Sequence, residues 1–325
     1  MLSAGLLLTT LLLAAPATAD DYPKVAVAGP HSAFTLYLPD DAKGFYRGTR
    51  FDRGGVIADW KVNGATLFHA WKGTHTPTNA DDITGPCEEF DQAGPADYAA
   101  APAGATFVKI GVGELVKEKD EPYQFMKTYK VADPGTRTYS LAAGVHTFTH
   151  TVTAKSGVGY TLVKTVEARD TDTAAVLRLH STLTNTGTKP LTTKVYNHNF
   201  FNVNRDPVGP NYRFDWPAAL KTTKAEDRYA ELAGDDPKAL VFKGKLDKGY
   251  VYAEYADLPA KAYAFTMRHA PSGTAVEVTS DRPLSAFRVW GISTVICPEP
   301  FIAIDELAPG KSFAWTTTYR AALTK

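Results

Sequence analysis

Residues 175–183 read AVLRLHSTL, and the leucines at 177, 179 and 183 alternate with polar side chains. A period of two is typical of a half-buried β-strand. Residues that favour turns precede this stretch at 169–172 and follow it at 185–190. The same alternation recurs in Tyr139 to Val152, Tyr160 to Val166, Tyr250 to Tyr255, Ala262 to Met267, Thr274 to Thr279, Leu284 to Trp290 and Ser312 to Tyr319. We therefore predict an all-β fold built as a large antiparallel β-sandwich.

The N-terminus has the pattern of a signal peptide. An apolar run from Leu6 to Leu13 leads to small residues at Ala17 and Ala19, which fit a cleavage site before Asp20. The run is too short for a helix that crosses a bilayer of about 30 Å. We expect a signal peptide over 1–19 and one sandwich domain over 20–325, secreted or periplasmic, with an uncleaved anchor as the minor alternative. No cysteine follows the run to carry a lipid anchor.

Composition limits the possible partners. Lys plus Arg and Asp plus Glu number 35 each, so no overall positive field favours nucleic acid or an anionic membrane. Aromatic residues make up 11% of the chain. Most of them will pack in the core, but exposed rings can stack on the apolar faces of sugars. We expect a small-molecule or oligosaccharide substrate, and the sequence does not predict an oligomeric state.

The chain has two cysteines, Cys87 and Cys297. In an oxidising compartment they can pair, but two buried free thiols are an equal alternative, since the sequence does not give the distance between them. Neither cysteine has another Cys or a His at ligand spacing, so a zinc site is not expected.

The segment YNHNFFN, residues 196–202, places polar side chains at the end of a strand. Alternation puts Tyr196, His198 and Phe200 on one face, and Asn197 and Asn199 on the other. Asparagine is disfavoured in a plain sheet. The segment is either a functional site or a structural histidine beside a turn closed by Asn side chains.

The segment VICPEPFIAI, residues 295–304, sets Glu299 between Pro298 and Pro300 in apolar surroundings. Proline cannot donate to a sheet ladder, so we expect this segment to bulge or to lie on an edge. Apolar surroundings would raise the pKa of the carboxyl, as a general base requires. The alternative is an exposed loop glutamate.

These two segments resemble motifs of the aldose 1-epimerases. Asn197, His198, Phe201 and Asn202 match that family's Asn-His-Ser-Tyr-Phe-Asn motif, and residues 297–299 match its Cys-x-Glu segment. Residues 307–312, LAPGKS, resemble its Leu-x-Pro-Gly turn. The resemblance covers about Phe45 to Tyr319. It implies the galactose mutarotase-like supersandwich, with His198 as general acid and Glu299 as general base.

The N-terminal half departs from the family. Its Gly-Arg-x-x-Asn-Arg and Leu-His-Gly-Gly patterns are missing, so the chain looks like a divergent branch. In their place stand YRGTRFD at 46–52 and GPCEEF at 85–90. Further substrate-binding candidates are therefore Arg50, Arg47, Asn197, Glu88, Glu89 and His75, with His69 as an alternative to His75.

The resemblance implies interconversion of sugar anomers by acid–base catalysis, which needs no metal, nucleotide or flavin. Other enzyme classes stay open. Two of Glu88, Glu89 and Glu299 could serve a glycoside hydrolase, and an arginine could hold the carboxylate of a polysaccharide lyase substrate. A non-catalytic carbohydrate-binding protein is the third possibility. We expect the irregular stretches Trp71 to Ala105 and Asn202 to Pro217 to be functional loops, with the part up to Asp91 at the rim of the site.

Overall fold

The computed structural model describes residues 22–323 except 228–231, 234–237, 257 and 259–261. Regular structure in these ranges is β-strand apart from one 3-10 turn at Val203–Arg205. The all-β prediction is confirmed. The predicted signal peptide lies outside the described residues. No helix in the described ranges is long and apolar enough to cross a membrane.

The larger sheet has ten antiparallel strands. In spatial order they are β16 (Leu232–Ala233), β17 (Ala239–Phe242), β14 (Tyr212–Asp215), β19 (Ala262–His269), β20 (Thr274–Pro283), β23 (Ser312–Ala322), β12 (Ala174–Asn185), β11 (Gly159–Ala168), β10 (Val145–Thr153) and β9 (Thr136–Ala142). The stretch 175–183 lies within β12, at the middle of this sheet, with one face on the core.

The second sheet has six strands and carries both sequence motifs. In spatial order they are β15 (Lys221–Asp227), β18 (Val251–Ala256), β21 (Ala286–Ile292), β22 (Val295–Leu307), β13 (Leu191–Asn199) and β5 (Pro86–Phe90). Two smaller sheets contain β1 (Lys24–Ala28), β2 (Ser32–Tyr37), β3 (Val56–Val62) and β4 (Ala65–Thr66), and β6 (Thr106–Lys109), β7 (Gly113–Val116) and β8 (Val131–Asp133).

The two large sheets pack face to face as a sandwich. Side chains from both contribute to one apolar cluster, among them Val195 and Phe287 from the six-stranded sheet and Leu177 and Tyr319 from the ten-stranded sheet. Burial of such surfaces is the main favourable term in folding. Polar contacts also cross this layer, since Asn197 Nδ2 donates to Thr317 Oγ1 at 3.0 Å.

A buried lysine joins the sheets to the segment that precedes β3. Lys164 on β11 forms ion pairs with Asp52 and with Glu88, the latter at 2.8 Å. Glu88 also accepts hydrogen bonds from Ser181 and from Trp315 Nε1. Each buried charge therefore has an opposite partner, as an apolar interior requires.

Two sequence predictions need local correction. The segment 139–152 is two strands, because Ala143 and Gly144 take positive φ and close the hairpin between β9 and β10. The stretch 71–105 contains β5, and 202–217 contains the 3-10 turn and β14. These segments are polar in sequence, but their strands pair with partners far away in the chain.

The prediction that the proline-flanked segment bulges or lies on an edge is wrong. Glu299 lies in β22, which pairs continuously with β21 from Val295 to Phe301. The prolines instead interrupt the other ladder. Pairing of β22 with β13 stops where Tyr196 faces Phe301, and a bridge reappears where Phe201 faces Ile296.

A side chain compensates for the missing ladder bonds in this gap. Asn199 Nδ2 donates to the Pro298 carbonyl at 2.8 Å, and the Tyr319 hydroxyl donates to Asn199 Oδ1 at 2.5 Å. Because a proline nitrogen cannot donate, the backbone ladder is interrupted here. The side-chain amide of Asn199 supplies a hydrogen bond to the Pro298 carbonyl instead. Asn199 therefore stabilises a central position of the sheet where the backbone ladder is interrupted.

Candidate active site

His198 and Glu299 stand directly opposite each other in this gap. Continuing the register of Tyr196 with Phe301 brings His198 on β13 against Glu299 on β22. The Nε2 atom of His198 lies 3.2 Å from Oε1 of Glu299. Both residues are almost fully buried, at 3% and 4% exposure. The two motifs, a hundred residues apart in sequence, thus form one buried pair.

Aromatic rings surround the histidine. Phe200 stacks on the imidazole with ring centroids 4.0 Å apart, and Phe51 and Trp290 approach it edge-on. The Nδ1 atom is buried and has no hydrogen-bond partner among the described residues. The protein therefore fixes the plane of the ring by packing and leaves Nδ1 unpaired.

Burial shifts the pKa values of both groups toward their neutral forms. Burial raises the pKa of the Glu299 carboxyl to about 8; Glu89 adds to this shift, and Arg50 and Arg288 oppose it. Burial also lowers the pKa of the His198 imidazole well below its ordinary value, and the charge of Arg50 acts in the same direction. At neutral pH the pair holds one exchangeable proton on the carboxyl, beside a neutral imidazole.

The pair lines a cavity of about 590 Å³. This volume is in the range of pockets that enclose drug-sized ligands, roughly 300–1,000 Å³. Most of the lining is aromatic or apolar, with a few polar groups among the rings. The lining residues are Arg50, Trp71, Asp81, Gln92, Ala93, Tyr123, Phe125, Met126, His198, Phe200, Tyr252, Arg288, Trp290 and Glu299.

Arg50 is held firmly at one wall of this cavity. Its Nε donates to Glu89 Oε2 at 2.8 Å and its Nη2 donates to the Tyr196 hydroxyl at 3.1 Å. The guanidinium lies between the rings of Phe51 and Phe125, at 4.5 and 4.6 Å from their centroids. Burial alone would lower the pKa of Arg50, but Glu89 and Tyr196 raise it well above its usual value. Arg50 therefore stays charged.

A second arginine borders the cavity from β21. Arg288 Nη1 donates to Gln92 Oε1 at 2.8 Å, and its Nε lies 3.3 Å from Glu254 Oε1. Gln92 in turn donates to the Tyr196 hydroxyl at 3.3 Å. Two further donors in the lining, Trp71 Nε1 and the Tyr123 hydroxyl, are buried without a partner among the described residues. The lining thus combines arginine, amide, indole and hydroxyl groups with the His198 and Glu299 pair.

Of the sequence candidates, Arg50 joins His198 and Glu299 in the lining, and four others do not. Arg47 donates to the Ala42 carbonyl at 2.5 Å and lies outside the cavity. His75 uses both ring nitrogens, on Asp82 and on the Phe45 carbonyl, each at 2.8 Å. Asn197 and Glu88 face the ten-stranded sheet, because alternation turns them away from His198.

Two other candidates do not line the cavity either. Glu89 is fully buried beneath Arg50, bonded to that arginine and to Tyr196, with Lys109 Nζ at 3.8 Å. His69 lies 4.0 Å from Asp59 and is absent from the lining. Neither His69 nor His75 lines the cavity.

Several lining residues were not singled out from the sequence. Arg288 and Trp290 lie on the predicted strand 284–290, and alternation puts them on one face. Trp71 and Asp81 come from the predicted rim segment. Gln92, Phe125 and Tyr252 carry no local signal, since only their tertiary position brings them to the cavity.

Cys87 and Cys297 are both buried free thiols. They belong to the same apolar cluster beneath the pair, and burial raises the pKa of each thiol well above its ordinary value. The structure therefore contains the free-thiol alternative rather than the disulfide. No group of three or more His, Cys, Asp or Glu among the described residues is arranged to hold a metal ion.

Comparison with known proteins identifies the fold of the chain but not its family. No protein-family model matches the chain, and no curated protein matches it. Among solved structures, a candidate aldose 1-epimerase from Escherichia coli K12 is similar at 14% identity and a TM-score of 0.57, over 93% of this chain and 99% of that one. A galactose mutarotase-like protein from Clostridium acetobutylicum is similar at 11% identity and a TM-score of 0.55, over 94% and 96%.

A further galactose mutarotase-like protein, from Lactobacillus casei ATCC 334, is similar at 13% identity and a TM-score of 0.50, over 92% of this chain and 99% of that one. Identities this low establish the architecture only. The chain has the galactose mutarotase-like β-sandwich fold, so the resemblance read from its motifs is confirmed at the level of the fold.

Proposed function

We propose that this protein interconverts the anomers of an aldose, with His198 and Glu299 transferring the protons. The contact of 3.2 Å between these groups, in an aromatic-lined cavity, carries the proposal. A fold that is shared with aldose 1-epimerase-like proteins supports a carbohydrate substrate.

The close contact determines where the sugar lies. The 3.2 Å separation leaves no space for a pyranose between the two side chains. The C1 hydroxyl and the ring oxygen are bonded to the same carbon, so two adjacent groups on one side of the ring can reach both. The sugar therefore sits on the cavity side of the pair. The acid and the base do not stand on opposite sides of the sugar ring.

The directions of the two pKa shifts support an assignment of the roles. The resemblance implies His198 as acid and Glu299 as base, whereas the pKa directions favour the reverse in the resting state. Glu299 gives its proton to the ring oxygen while the His198 imidazole takes the proton of the C1 hydroxyl, and the C1–O5 bond breaks to leave the open-chain aldehyde. After rotation about C1–C2 the transfers reverse and the ring closes.

Arg50 and the wall around it bind and orient the sugar. Among the described residues, the Arg50 Nη1 atom has only the Met126 sulfur as a partner, at 3.3 Å. Thioether sulfur is a weak acceptor, so a sugar oxygen can take its place. Trp71 and Trp290 offer ring surfaces for the C–H faces of the sugar.

The geometry gives less support to a two-carboxylate hydrolase. Glu88 faces the other sheet, Glu89 is committed to Arg50, and Asp81 in the lining is paired with Lys72. Among the described residues, Glu299 is thus the one carboxyl of the lining that has no Lys or Arg in contact. Non-catalytic sugar binding remains the runner-up, because the cavity fits it equally well.

Anomer equilibration tests the proposal. We expect the purified protein to accelerate equilibration of freshly dissolved aldoses, followed by polarimetry or anomeric-proton NMR over hexoses, pentoses and uronic acids. His198→Asn and Glu299→Gln should each lose about 10²-fold or more in kcat with little change in affinity. His269→Asn is the matched control, since His269 pairs with Asp206 at 3.0 Å away from the cavity.

Two results would contradict the proposal. Cleavage of an oligosaccharide with a new reducing end would favour a hydrolase or lyase. Sugar binding without turnover of any member of the panel would favour the non-catalytic protein.

A further inference from the structure

Two exposed apolar side chains stand side by side in the cavity lining. The described residues expose three large apolar side chains, which are Phe125 at 37%, Met126 at 47% and Leu141 at 56%. Phe125 and Met126 both line the cavity, whereas Leu141 lies on β9. Single exposed apolar residues are common, but an adjacent pair in a binding cavity indicates a surface that a ligand covers.

The loop that carries this pair is firmly anchored. It connects β7 to β8, and within it Gln124 N donates to the Tyr129 hydroxyl at 2.9 Å. Lys127 Nζ pairs with Glu121 at 2.7 Å, and the rings of Tyr123 and Tyr129 stack with centroids 5.4 Å apart. These contacts hold both ends of the turn, so the exposure of Phe125 and Met126 is a fixed feature of the surface.

The two side chains also contact Arg50, which lies at one wall of the cavity. The Phe125 ring covers the Arg50 guanidinium, and the Met126 sulfur accepts from Arg50 Nη1. The apolar pair is therefore continuous with the site of the proposed reaction. Phe125 and Met126 are far more exposed than His198 at 3% and Glu299 at 4%. The apolar pair therefore lies at the solvent side of the cavity, and the reactive groups lie deep in it.

Chemistry fixes the direction of a sugar in this cavity. The C1 hydroxyl must reach His198 and Glu299, so any substituent on the far side of that ring points away from the pair and toward solvent. A cavity of about 590 Å³ also exceeds what one pyranose fills, because pockets of this size enclose drug-sized ligands.

We propose that Phe125 and Met126 form a binding site for a second sugar ring, and that the substrate is the reducing end of an oligosaccharide. This inference rests on the proposed anomer interconversion. The terminal ring reacts at His198 and Glu299, and the next ring stacks on Phe125. Aromatic side chains that are already fixed in place add contact at low entropic cost.

The test compares glucose with its disaccharides cellobiose and maltose. We expect kcat/KM for at least one disaccharide to exceed that for glucose about tenfold, which corresponds to about 1.4 kcal/mol. Phe125→Ala should bring the ratio of the kcat/KM values for disaccharide and glucose to about one, and Phe125→Trp should retain the wild-type ratio. Leu141→Ala is the matched control and should retain it too.

Binding separates this inference from the proposed function. His198→Asn titrated with the same sugars should bind the disaccharide about tenfold more tightly than glucose, and the added Phe125→Ala change should abolish the difference. Loss of all turnover with this binding preference intact would contradict the proposed function alone. Equal kcat/KM values together with equal affinities for glucose and both disaccharides would overturn the second sugar site.

Discussion

The two faces of β22, β13 and β5 both bury polar groups but partner them differently. On the face toward the ten-stranded sheet, Glu88 has Lys164, Ser181 and Trp315, and Asn197 has Thr317. On the cavity face, Glu299 has the His198 imidazole and, within the part of the chain that the structure describes, no Lys or Arg in contact with its carboxyl group. Burial is therefore common to both faces. On the structural face Glu88 has Lys164, and on the reactive face Glu89 has Arg50, so the missing compensating charge distinguishes Glu299 rather than its whole face.

This comparison explains the direction in which the pKa of a buried carboxyl shifts. A buried carboxylate that gains a cation and hydrogen bonds keeps its charge, whereas one that lacks them takes up a proton. Glu299 follows the second rule, with a pKa raised to about 8 by burial. Perturbed pKa values cluster at functional sites, and Glu299 is such a group in the cavity lining.

The largest effect is expected on the structural face. Lys164→Met leaves Asp52 and Glu88 buried without their cation. Removing one partner of a buried ion pair costs about 3–5 kcal/mol, so we expect a loss of that size in the free energy of unfolding, measured by urea denaturation. The exposed Lys311→Met should change it by less than about 0.5 kcal/mol. A loss below about 1 kcal/mol in Lys164→Met would remove the contrast between the faces.

The next effect is a pH dependence on the reactive face. The folded pKa of Glu299 is about 8, against a reference value of 4.5 for glutamate. Between these values the folded state keeps a proton that the unfolded state has released, so the stability contributed by this group falls as pH rises toward 8. The slope is at most about 1.4 kcal/mol per pH unit.

Glu299→Gln removes this slope. We expect the wild type to lose about 2 kcal/mol relative to Glu299→Gln between pH 6 and pH 8, in urea unfolding at each pH. The exposed Glu277→Gln serves as the control and should follow the wild type at every pH. Parallel curves for wild type and Glu299→Gln would show that Glu299 titrates normally.

A smaller effect is expected from the polar contact between the sheets. Thr317→Val keeps the shape but removes the acceptor of Asn197 Nδ2. A buried donor left unpaired costs about 1–3 kcal/mol, and we expect about 1 kcal/mol in urea denaturation, without loss of sugar binding. Thr318→Val, on the opposite face of the same strand, is the control. A change in sugar affinity would place Asn197 in the site after all.

Much of the fold could be predicted because alternation is local. The pattern of 175–183 identified β12, and the same rule separated His198 from Asn197 in the motif. That rule already argued against Asn197 as a substrate ligand, since it cannot share a face with His198. The error came from transferring a motif residue by residue without its strand geometry.

Other features depended on tertiary contacts. His75 is committed to Asp82 and Phe45, which no spacing could indicate. Glu299 was expected in a bulge or at an edge because prolines cannot donate, but Asn199 satisfies the Pro298 carbonyl and lets β22 stay inside the sheet. The cavity wall from Gln92, Phe125 and Tyr252 arises only when distant segments meet.

The pH profile of kcat/KM for anomer equilibration tests the central claim most directly, because it reports the ionisations of the free enzyme. We predict a rate that falls above pH 8 as Glu299 loses the proton it donates, with an apparent pKa that belongs to the His198 and Glu299 pair. Glu299→Gln should stay near the uncatalysed rate throughout. A catalysed rate that is flat to pH 10, or a Glu299→Gln variant that retains it, would contradict the account.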